Sequence, residues 1–582
     1  NVIIGNPPFT RIERLEEKYK DDLSKIHRLD KFMFGQAGLH VGFIIHGEQF
    51  LEKGGILSMV LPTASFSSNY SRALEKFILD NFKILYIIDS RKDITFSDGS
   101  DFKEILFICE KIKDSEESPE EEIKELDNEK QPKNLPINNN QEDSSIWTGK
   151  YVVLKKSLKD YALPMLATVI QKKNENYEDE QLSIRLVSKD EFISQTNWLM
   201  FARAKLEDLV NKIYESKLFS LQNKIIVFHE GFHLDAPYFF RIPNEFWDVV
   251  TDTELLIRIK NKANEKIEYK IPKRFVVECL DVPSNYNTNA PKMNNYLLNI
   301  KHSDVKNLGD GLKKYIEWGE DIQKCGMTPK EKNTKSPPEL SKIKKYAEKR
   351  KDKPAYPWYT YGSHILTHQR IDKTVGPIGG NIALVEKFRT KTVNNVAFYS
   401  SGRLTGSNSF FFGEILIDKK YKKILGAWFC STWYLMQYLY NRREISGNYG
   451  RIKIKDFKSW KCINPQKIKK EYLQEIEVAF NEYREGFPTD KTFYEQIKER
   501  NPKLKNLDFL FLKSLELKFK DETDADFLEN VYNLIIEEID ISELGKAISK
   551  RRAQLKKKKK KTKKKENKTK PTKKLDSFLD KK

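Results

Sequence analysis

The chain has 582 residues, of which 39% are hydrophobic, 12% aromatic and 32% charged, too many for one core and enough apolar side chains for two or three domains. Its formal net charge of +20 favours a polyanionic partner, but 18 Lys and Arg against 3 acids crowd into residues 550–582, so any basic groove in the body must be local. The cysteines (Cys109, Cys279, Cys325, Cys430, Cys462) are scattered without a Cys-x-x-Cys pair, which argues against a disulfide framework or a cysteine zinc site and fits a cytoplasmic setting; no apolar run reaches the ~20 residues of a membrane helix.

In chain order, Val2-Ile3-Ile4-Gly5 reads as the end of a buried strand and Asn6-Pro7-Pro8-Phe9 as a rigid turn, because two prolines stop the strand and fix the bend. Glu13–His27 is polar and helix-prone, and Leu39–Lys53 is an amphipathic helix closed by Gly54-Gly55. Ile56–Leu61 predicts a strand ending at Pro62, Tyr70–Asn81 a helix, and Ile84–Ile88 and Ile105–Cys109 two more strands. This alternation predicts an α/β domain over 1–112 with mostly parallel strands. Residues 113–145 are acidic and low in aromatics, a solvated linker. From 146 to 545 the pattern is mixed α+β, with helices near Ala204–Ser216, Leu425–Tyr440 and Pro465–Glu485 and a Lys-rich strip at Lys330–Lys353. Residues 546–582 form a basic tail kept extended by like-charge repulsion.

The turn carries the chemistry. The Asn6 amide and the Pro7 carbonyl would face one point beside an aromatic ring, a pair of acceptors suited to an exocyclic amino group on a planar base. The quartet resembles the catalytic motif of amino-methylating DNA methyltransferases in its adenine-N6 form. Leu39–Gly55 followed by Ile56–Pro62 is similar to the helix-Gly-Gly-strand-Pro segment of the γ-type enzymes, and Phe96–Lys111 to their later motif. Pro357-Trp358-Tyr359 and Gly447–Ile454 resemble parts of the recognition region of large single-chain (type IIG-like) restriction-modification enzymes.

The resemblance implies a partial Rossmann-like methyltransferase sheet with its early strands missing, an α+β target-recognition domain over 146–545 and a disordered basic tail. It implies Asn6, Pro7, Pro8 and Phe9 as the catalytic quartet and Phe96, with Phe102 in reserve, as the ring that stacks on a flipped base. The cofactor would be S-adenosylmethionine. Its glycine-rich loop precedes the catalytic turn in that family and is absent here, so an upstream methyltransferase polypeptide is the expected partner. Double-stranded DNA is the other. Tyr449, Arg451 and Lys453, with Lys455, lie near glycines where backbone can approach phosphate, and Arg442 and Arg443 precede them. A different class, a DNA-binding specificity protein with no catalysis, fits the same composition.

Two further motifs carry weaker signals. His229-Glu230-Gly231-Phe232-His233 has the spacing of a zinc-protease helix, but the β-prone run before it and Gly231 favour a strand and loop, and no metal is expected. Leu575, Phe578 and Leu579 in the tail resemble a sliding-clamp-binding peptide.

Overall fold

Aliphatic runs set off by Gly and Pro become strands, and the intervening amphipathic stretches become helices. The computed structural model describes residues 1–540 apart from 25–28, 30–31, 33–36, 67–70, 92–95, 98–102, 113–146, 196, 235–236, 245, 260–266, 321–356, 364–378, 389–390, 446–448 and 520–521. The expected linker, Phe102, the Lys330–Lys353 strip and the tail with its clamp-like motif lie outside the described residues. The chain divides into two units: Asn1–Asp208 with Arg443–Gly450 and Glu537–Lys582, and Leu209–Arg442 with Arg451–Ile536.

The first unit is built on a seven-stranded sheet in the order β1-β2-β4-β3-β5-β7-β6. Its strands are β1 (Val2–Gly5), β2 (Ile56–Pro62), β3 (Phe82–Ser90), β4 (Glu104–Lys111), β5 (Thr148–Leu154), β6 (Tyr177–Glu178) and β7 (Leu182–Ser188). The helices among them are α1 (Glu17–Ser24), α2 (Leu39–Gln49), α3 (Ser71–Asn81), α4 (Leu163–Lys172) and α5 (Lys189–Ser194). The strands and helices expected up to β4 are present, with ends shifted by a few residues.

Two expectations are corrected. The sheet is mixed rather than mostly parallel: β1 and β2 are parallel, as are β3 and β5, while β4 lies antiparallel between β2 and β3. β2 and β3 still run the same way, so the α3 crossover holds, but β3 and β4 pair as direct neighbours, which needs no covered crossover. The sheet also passes the expected boundary at residue 112. β5 pairs with β3 and β7 with β5, so residues 148–188 complete this sheet instead of opening the next domain. A strand can join a sheet across any insertion, and the acidic stretch hides that continuity from a composition-based boundary.

The core lies on the face that α2 and α3 cover. Leu57, Met59 and Leu61 of β2, Ile84 and Ile87 of β3, and Ile105, Phe107 and Cys109 of β4 pack there with Val41, Ile44, Ile45, Leu74 and Ile78. A buried ion pair ties α2 to β4: Lys111 Nζ lies 2.7 Å from Glu48 Oε1 and also donates to the carbonyls of Glu48 and Leu51 at 2.9 and 2.8 Å. A cation at a helix C-terminus suits its unsatisfied carbonyls. On the opposite face, Val152, Leu154, Leu182 and Ile184 pack with Ile170, Leu166 and Val169 of α4. Towards β1 that face opens: Val2 is 62% and Ile4 81% exposed, while Ile3 between them packs into the core.

The second unit holds a four-stranded antiparallel sheet of β8 (Ile226–Glu230), β9 (Gly380–Val385), β10 (Ala397–Leu404) and β11 (Phe410–Ile415), in the order β10-β9-β11-β8. Helices α6 (Lys422–Phe429), α7 (Thr432–Asn441), α8 (Lys470–Glu485) and α9 (Pro502–Ser514) follow. The helix expected over Leu425–Tyr440 is two helices, since Cys430 and Ser431 leave helical geometry. The break is bridged by Asp508 of α9, whose Oδ1 accepts from the Thr432 N–H at 3.1 Å and whose Oδ2 accepts from the Tyr532 hydroxyl at 2.7 Å. A second aromatic core gathers Phe239, Phe240, Trp247, Tyr315, Trp318 and Trp358, so Trp358 of the Pro-Trp-Tyr cue is a core side chain.

Candidate active site at the end of the sheet

Gly5 is the last residue of β1 and sits opposite Met59 of β2. Beyond it the chain leaves the sheet, as the two prolines require. Asn6 and Pro8 are exposed, Pro7 is buried and Phe9 is half-buried. The turn is therefore anchored through Pro7 while its amide faces solvent. Its far end is tied to the start of α2: Arg11 bridges Gly38, the Leu39 N–H donates to the Thr10 carbonyl at 2.9 Å, and the Ile12 N–H donates to the Ala37 carbonyl at 3.0 Å.

His40, on the first turn of α2, lies behind this loop. Its ring meets Phe9 edge to face, with centroids 5.8 Å apart and planes at 89°, an arrangement worth about 0.5–1.5 kcal/mol beyond burial. His40 is 2% exposed, and among the described residues neither ring nitrogen has a hydrogen-bond partner. Burial lowers its pKa to about 4, so the imidazole is neutral at physiological pH. Gly38 makes room for the ring, for a Cβ there would stand 2.5 Å from its Cε1 and Nδ1.

The topology brings Phe96 to the same end of the sheet. β1 and β2 are parallel and β4 is antiparallel to β2, so the ends of β1 and β2 and the start of β4 share one rim. Glu104 begins β4 opposite Pro62 and is buried. Its carboxylate accepts from the Phe96 N–H at 2.8 Å, the Ser97 N–H at 2.9 Å and the Ser97 hydroxyl at 2.6 Å. Three donors on one carboxylate fix the loop that carries Phe96. The ring is half-buried and packs toward Val152, Leu154 and Ile184 on the second face of the sheet. β1 and β4 are two strand spacings apart, roughly 10 Å. A rim at the carboxyl ends of parallel strands is where α/β sheets place ligand clefts.

The basic candidates of the second half separate. Arg442 is corrected: it is buried, and its guanidinium donates to the Leu439 carbonyl of α7 at 3.1 Å. Arg451 is half-exposed, but its Nε donates to Glu386 Oε1 at 2.6 Å, and its terminal nitrogen also reaches that oxygen. The Lys453 backbone N–H donates to Asp456 Oδ2 at 2.9 Å. Arg443 and Tyr449 lie in short strands, Arg443–Ile445 and Tyr449–Arg451. His229 stands on β8, which ends at Glu230, so its segment is a strand end and loop rather than a zinc-binding helix, and His233 Nε2 lies 3.1 Å from Glu230. Among the described residues no three His, Cys, Asp or Glu side chains gather as a metal site, and no helix is long and apolar enough to cross a membrane.

His40, Gly38, Glu104 and the Glu48–Lys111 pair were not singled out from the sequence. The one available signal for His40 was a histidine following Gly-Leu at the predicted start of an amphipathic helix. Glu104 and Lys111 have none, since their roles depend on pairings across the sheet.

Residues 1–96 match the Eco57I restriction-modification methylase family. The same stretch is 30% identical to the type II methyltransferase M.BstVI of Geobacillus stearothermophilus, covering 16% of this chain and 17% of that protein. The similarity of this segment to restriction-modification methylases is in line with the Asn-Pro-Pro-Phe resemblance. The chain is also similar to two solved structures. One is the type IIG restriction endonuclease BpuSI, at 13% identity and a TM-score of 0.36, covering 93% of this chain and 54% of that one. The other is the type IIL restriction-modification enzyme MmeI in complex with DNA, at 12% identity and a TM-score of 0.42, covering 92% and 57%. The chain spans little more than half the length of these two.

Proposed function

We propose that the chain is the acceptor-gripping and target-recognising part of a site-specific DNA adenine-N6 methyltransferase of a restriction-modification system, completed by an upstream cofactor-binding polypeptide. The observation that carries this reading is the turn itself. Within the family-matched segment, Asn6 is exposed at the rim of the sheet while Pro7 is buried beneath it.

An adenine amino nitrogen is a weak nucleophile because its lone pair is delocalised into the ring. The Asn6 side-chain oxygen and the Pro7 carbonyl accept its two N–H groups, which draws electron density toward nitrogen and fixes its direction of attack. The base must leave the duplex to reach them, at a cost of a few kcal/mol. Stacking on Phe9 and Phe96 offsets that cost by about 1–3 kcal/mol per base. S-adenosylmethionine supplies the methyl group when bound. The open side of β1 supports a donor held from outside the described residues: Val2 and Ile4 are bare, and an unpaired apolar edge invites a further strand. The second unit, Leu209–Arg442 with Arg451–Ile536, supplies DNA recognition, and the motif at Leu575, Phe578 and Leu579 would dock a sliding clamp, which a synthetic tail peptide tests directly.

The test is to join the chain to its upstream part, incubate it with isotopically labelled S-adenosylmethionine and duplex DNA, and identify the modified nucleoside by mass spectrometry. N6-methyladenine is expected. Label on cytosine overturns the adenine assignment. DNA binding with no label at all favours the non-catalytic specificity protein.

A further inference from the structure

We propose that Asn285 and Asn408, two side chains on one platform of the second unit, are base-reading contacts to the adenine edge in target DNA. The inference rests on the reading of that unit as the DNA-recognition part, and names the residues and the base they read.

The platform is made by backbone. The chain just after β8, the turn at Thr405–Ser409 and the pair Leu280–Asp281 are bonded to one another. The Phe232 N–H donates to the Gly406 carbonyl at 3.0 Å and the Asn408 N–H to the Phe232 carbonyl at 3.0 Å. The Leu280 N–H donates to the Thr405 carbonyl at 2.8 Å and the Ser407 N–H to the Leu280 carbonyl at 3.2 Å. Glycine permits this approach, since a Cβ on Gly406 would stand 2.6 Å from the Leu280 carbonyl oxygen. The loop beyond Asp281 is closed by the buried Tyr286, whose hydroxyl accepts from the Asp281 N–H at 2.9 Å. Side chains carried on such a frame keep their places before a ligand arrives.

Both amides are oriented in the same way. Asn285 is exposed, and its Nδ2 donates to Asp281 Oδ2 at 3.1 Å, while Arg241 holds the other oxygen of Asp281. A carboxylate only accepts, so the amide must turn its nitrogen to Asp281 and carry Oδ1 on its other side. Asn408 is half-buried, with Nδ2 3.0 Å from His233 Nδ1, and His233 Nε2 lies 3.1 Å from Glu230 Oε1. Glu230 takes the Nε2 proton of the neutral ring, which leaves Nδ1 as the acceptor, and this amide too turns its nitrogen inward. Arg241–Asp281–Asn285 and Glu230–His233–Asn408 are thus two relays of one design, joined where the Ser407 hydroxyl donates to the Asp281 carbonyl. Among the described residues neither Oδ1 has a partner.

An asparagine so held offers one acceptor and, from its second amide hydrogen, one donor. That pair matches the N6 amino group and N7 of adenine, whereas guanine presents two acceptors, thymine an acceptor and a methyl group, and cytosine an amino group alone. The amides are uncharged and Asp281 offsets Arg241, so the platform adds sequence preference rather than phosphate grip.

The test is selection of bound sites from a pool of randomised DNA duplexes, by the full chain alone and joined to its upstream part. The wild type should select a site with adenine at two positions. Asn285→Ala should lower the preference at one of them about five- to hundredfold, the range of one bidentate base contact, and Asn408→Ala at the other. The slope of log K against log salt should stay unchanged, because no phosphate contact is lost. His233→Ala should relax the same position as Asn408→Ala, and the double variant should relax it no further. Thermal melting checks that each variant is folded; Asn285 is exposed, so Asn285→Ala decides if the others are not. A folded Asn285→Ala that selects the wild-type site overturns the proposal, as does an equal loss of affinity for every sequence, the mark of a structural role. A wild type that selects no site at all removes DNA recognition from the second unit and this inference with it. If the sites relax as expected but the joined wild type transfers no methyl group, the methyltransferase reading fails while the base contacts stand.

Discussion

The turn at Asn6–Phe9 and the basic run at 442–453 are both polar stretches suited to meeting DNA, yet the protein uses them differently. Asn6 points to solvent on a backbone that Pro7 pins down. Arg442 is buried against its own helix, and Arg451 is turned onto Glu386. The first stretch is dictated by local backbone chemistry, which two adjacent prolines impose wherever they occur. The second depends on where a carboxylate lies after folding, and Glu386 is 65 residues away from Arg451. A motif made by the backbone survives folding unchanged, whereas a cation in the sequence is a DNA contact only if the fold leaves it free.

The comparison breaks most visibly if the frame under the turn gives way. Lys111→Met removes the cation that holds Glu48 and the last carbonyls of α2. Leaving a buried carboxylate without its cation should destabilise the first unit by roughly 3–5 kcal/mol, seen as a lowered unfolding midpoint in urea. Because α2 carries His40 and anchors the turn, methyl transfer should fall in the same variant. Asn6→Ala is the contrasting case. The side chain is exposed, so the midpoint should not move, but the joined enzyme should lose about 10²- to 10³-fold in kcat, the size of one lost electrostatic partner at a reacting centre. DNA binding should persist. A stable, fully active Asn6→Ala removes the turn from the mechanism.

The second unit offers a carboxylate with no cation partner among the described residues, which sharpens the contrast with Glu48. Asp508 takes hydrogen bonds from the Thr432 N–H and the Tyr532 hydroxyl, and burial pushes its pKa from 3.8 up to about 7. The folded state therefore prefers the protonated acid. That contribution is complete below the unfolded value near 3.8, falls as pH rises, and is gone above about 7. Melting of the second unit should drop between pH 5 and pH 8. Asp508→Asn should flatten that slope, and Asp508→Ala should cost about 1–3 kcal/mol at pH 5 through the lost cap and the unpaired hydroxyl. A wild-type slope of the opposite sign contradicts the neutral form.

What the sequence revealed follows the same division. The Asn-Pro-Pro-Phe turn, α2 closed by Gly54-Gly55, and the β2, β3 and β4 runs all declare themselves through proline, glycine and aliphatic periodicity. The reading of His229–His233 as a strand and loop follows from the β-prone run before it, and β8 ends within that segment at Glu230. The antiparallel place of β4 and the recruitment of β5 and β7 were hidden, because both are pairings between distant segments with no local signature. The break between α6 and α7 was hidden for the same reason: the sequence is helix-prone throughout, and it is Asp508 of α9 that caps the second helix. Among candidate site residues, Phe96 stands out as an aromatic before a strand, but Glu104, which fixes its loop, reads in isolation as one more surface acid.

The smallest effect separates the two roles of a charged residue. If Arg451 is a structural partner, Arg451→Ala leaves the buried Glu386 carboxylate short of a cation and should cost the second unit about 1–3 kcal/mol, while the slope of log K against log salt for DNA stays where it was. If Arg451 instead binds phosphate, stability barely changes and the slope falls by about one. The pairing seen with Glu386 favours the first outcome. Glu386→Gln in the Arg451→Ala background decides it: removing the uncompensated charge should recover most of the lost stability if the ion pair is the reason for the arginine, and should recover none if Glu386 is a bystander. A double-mutant cycle with no coupling would return Arg451 to the DNA-binding surface and show that charge in this run was legible from sequence after all.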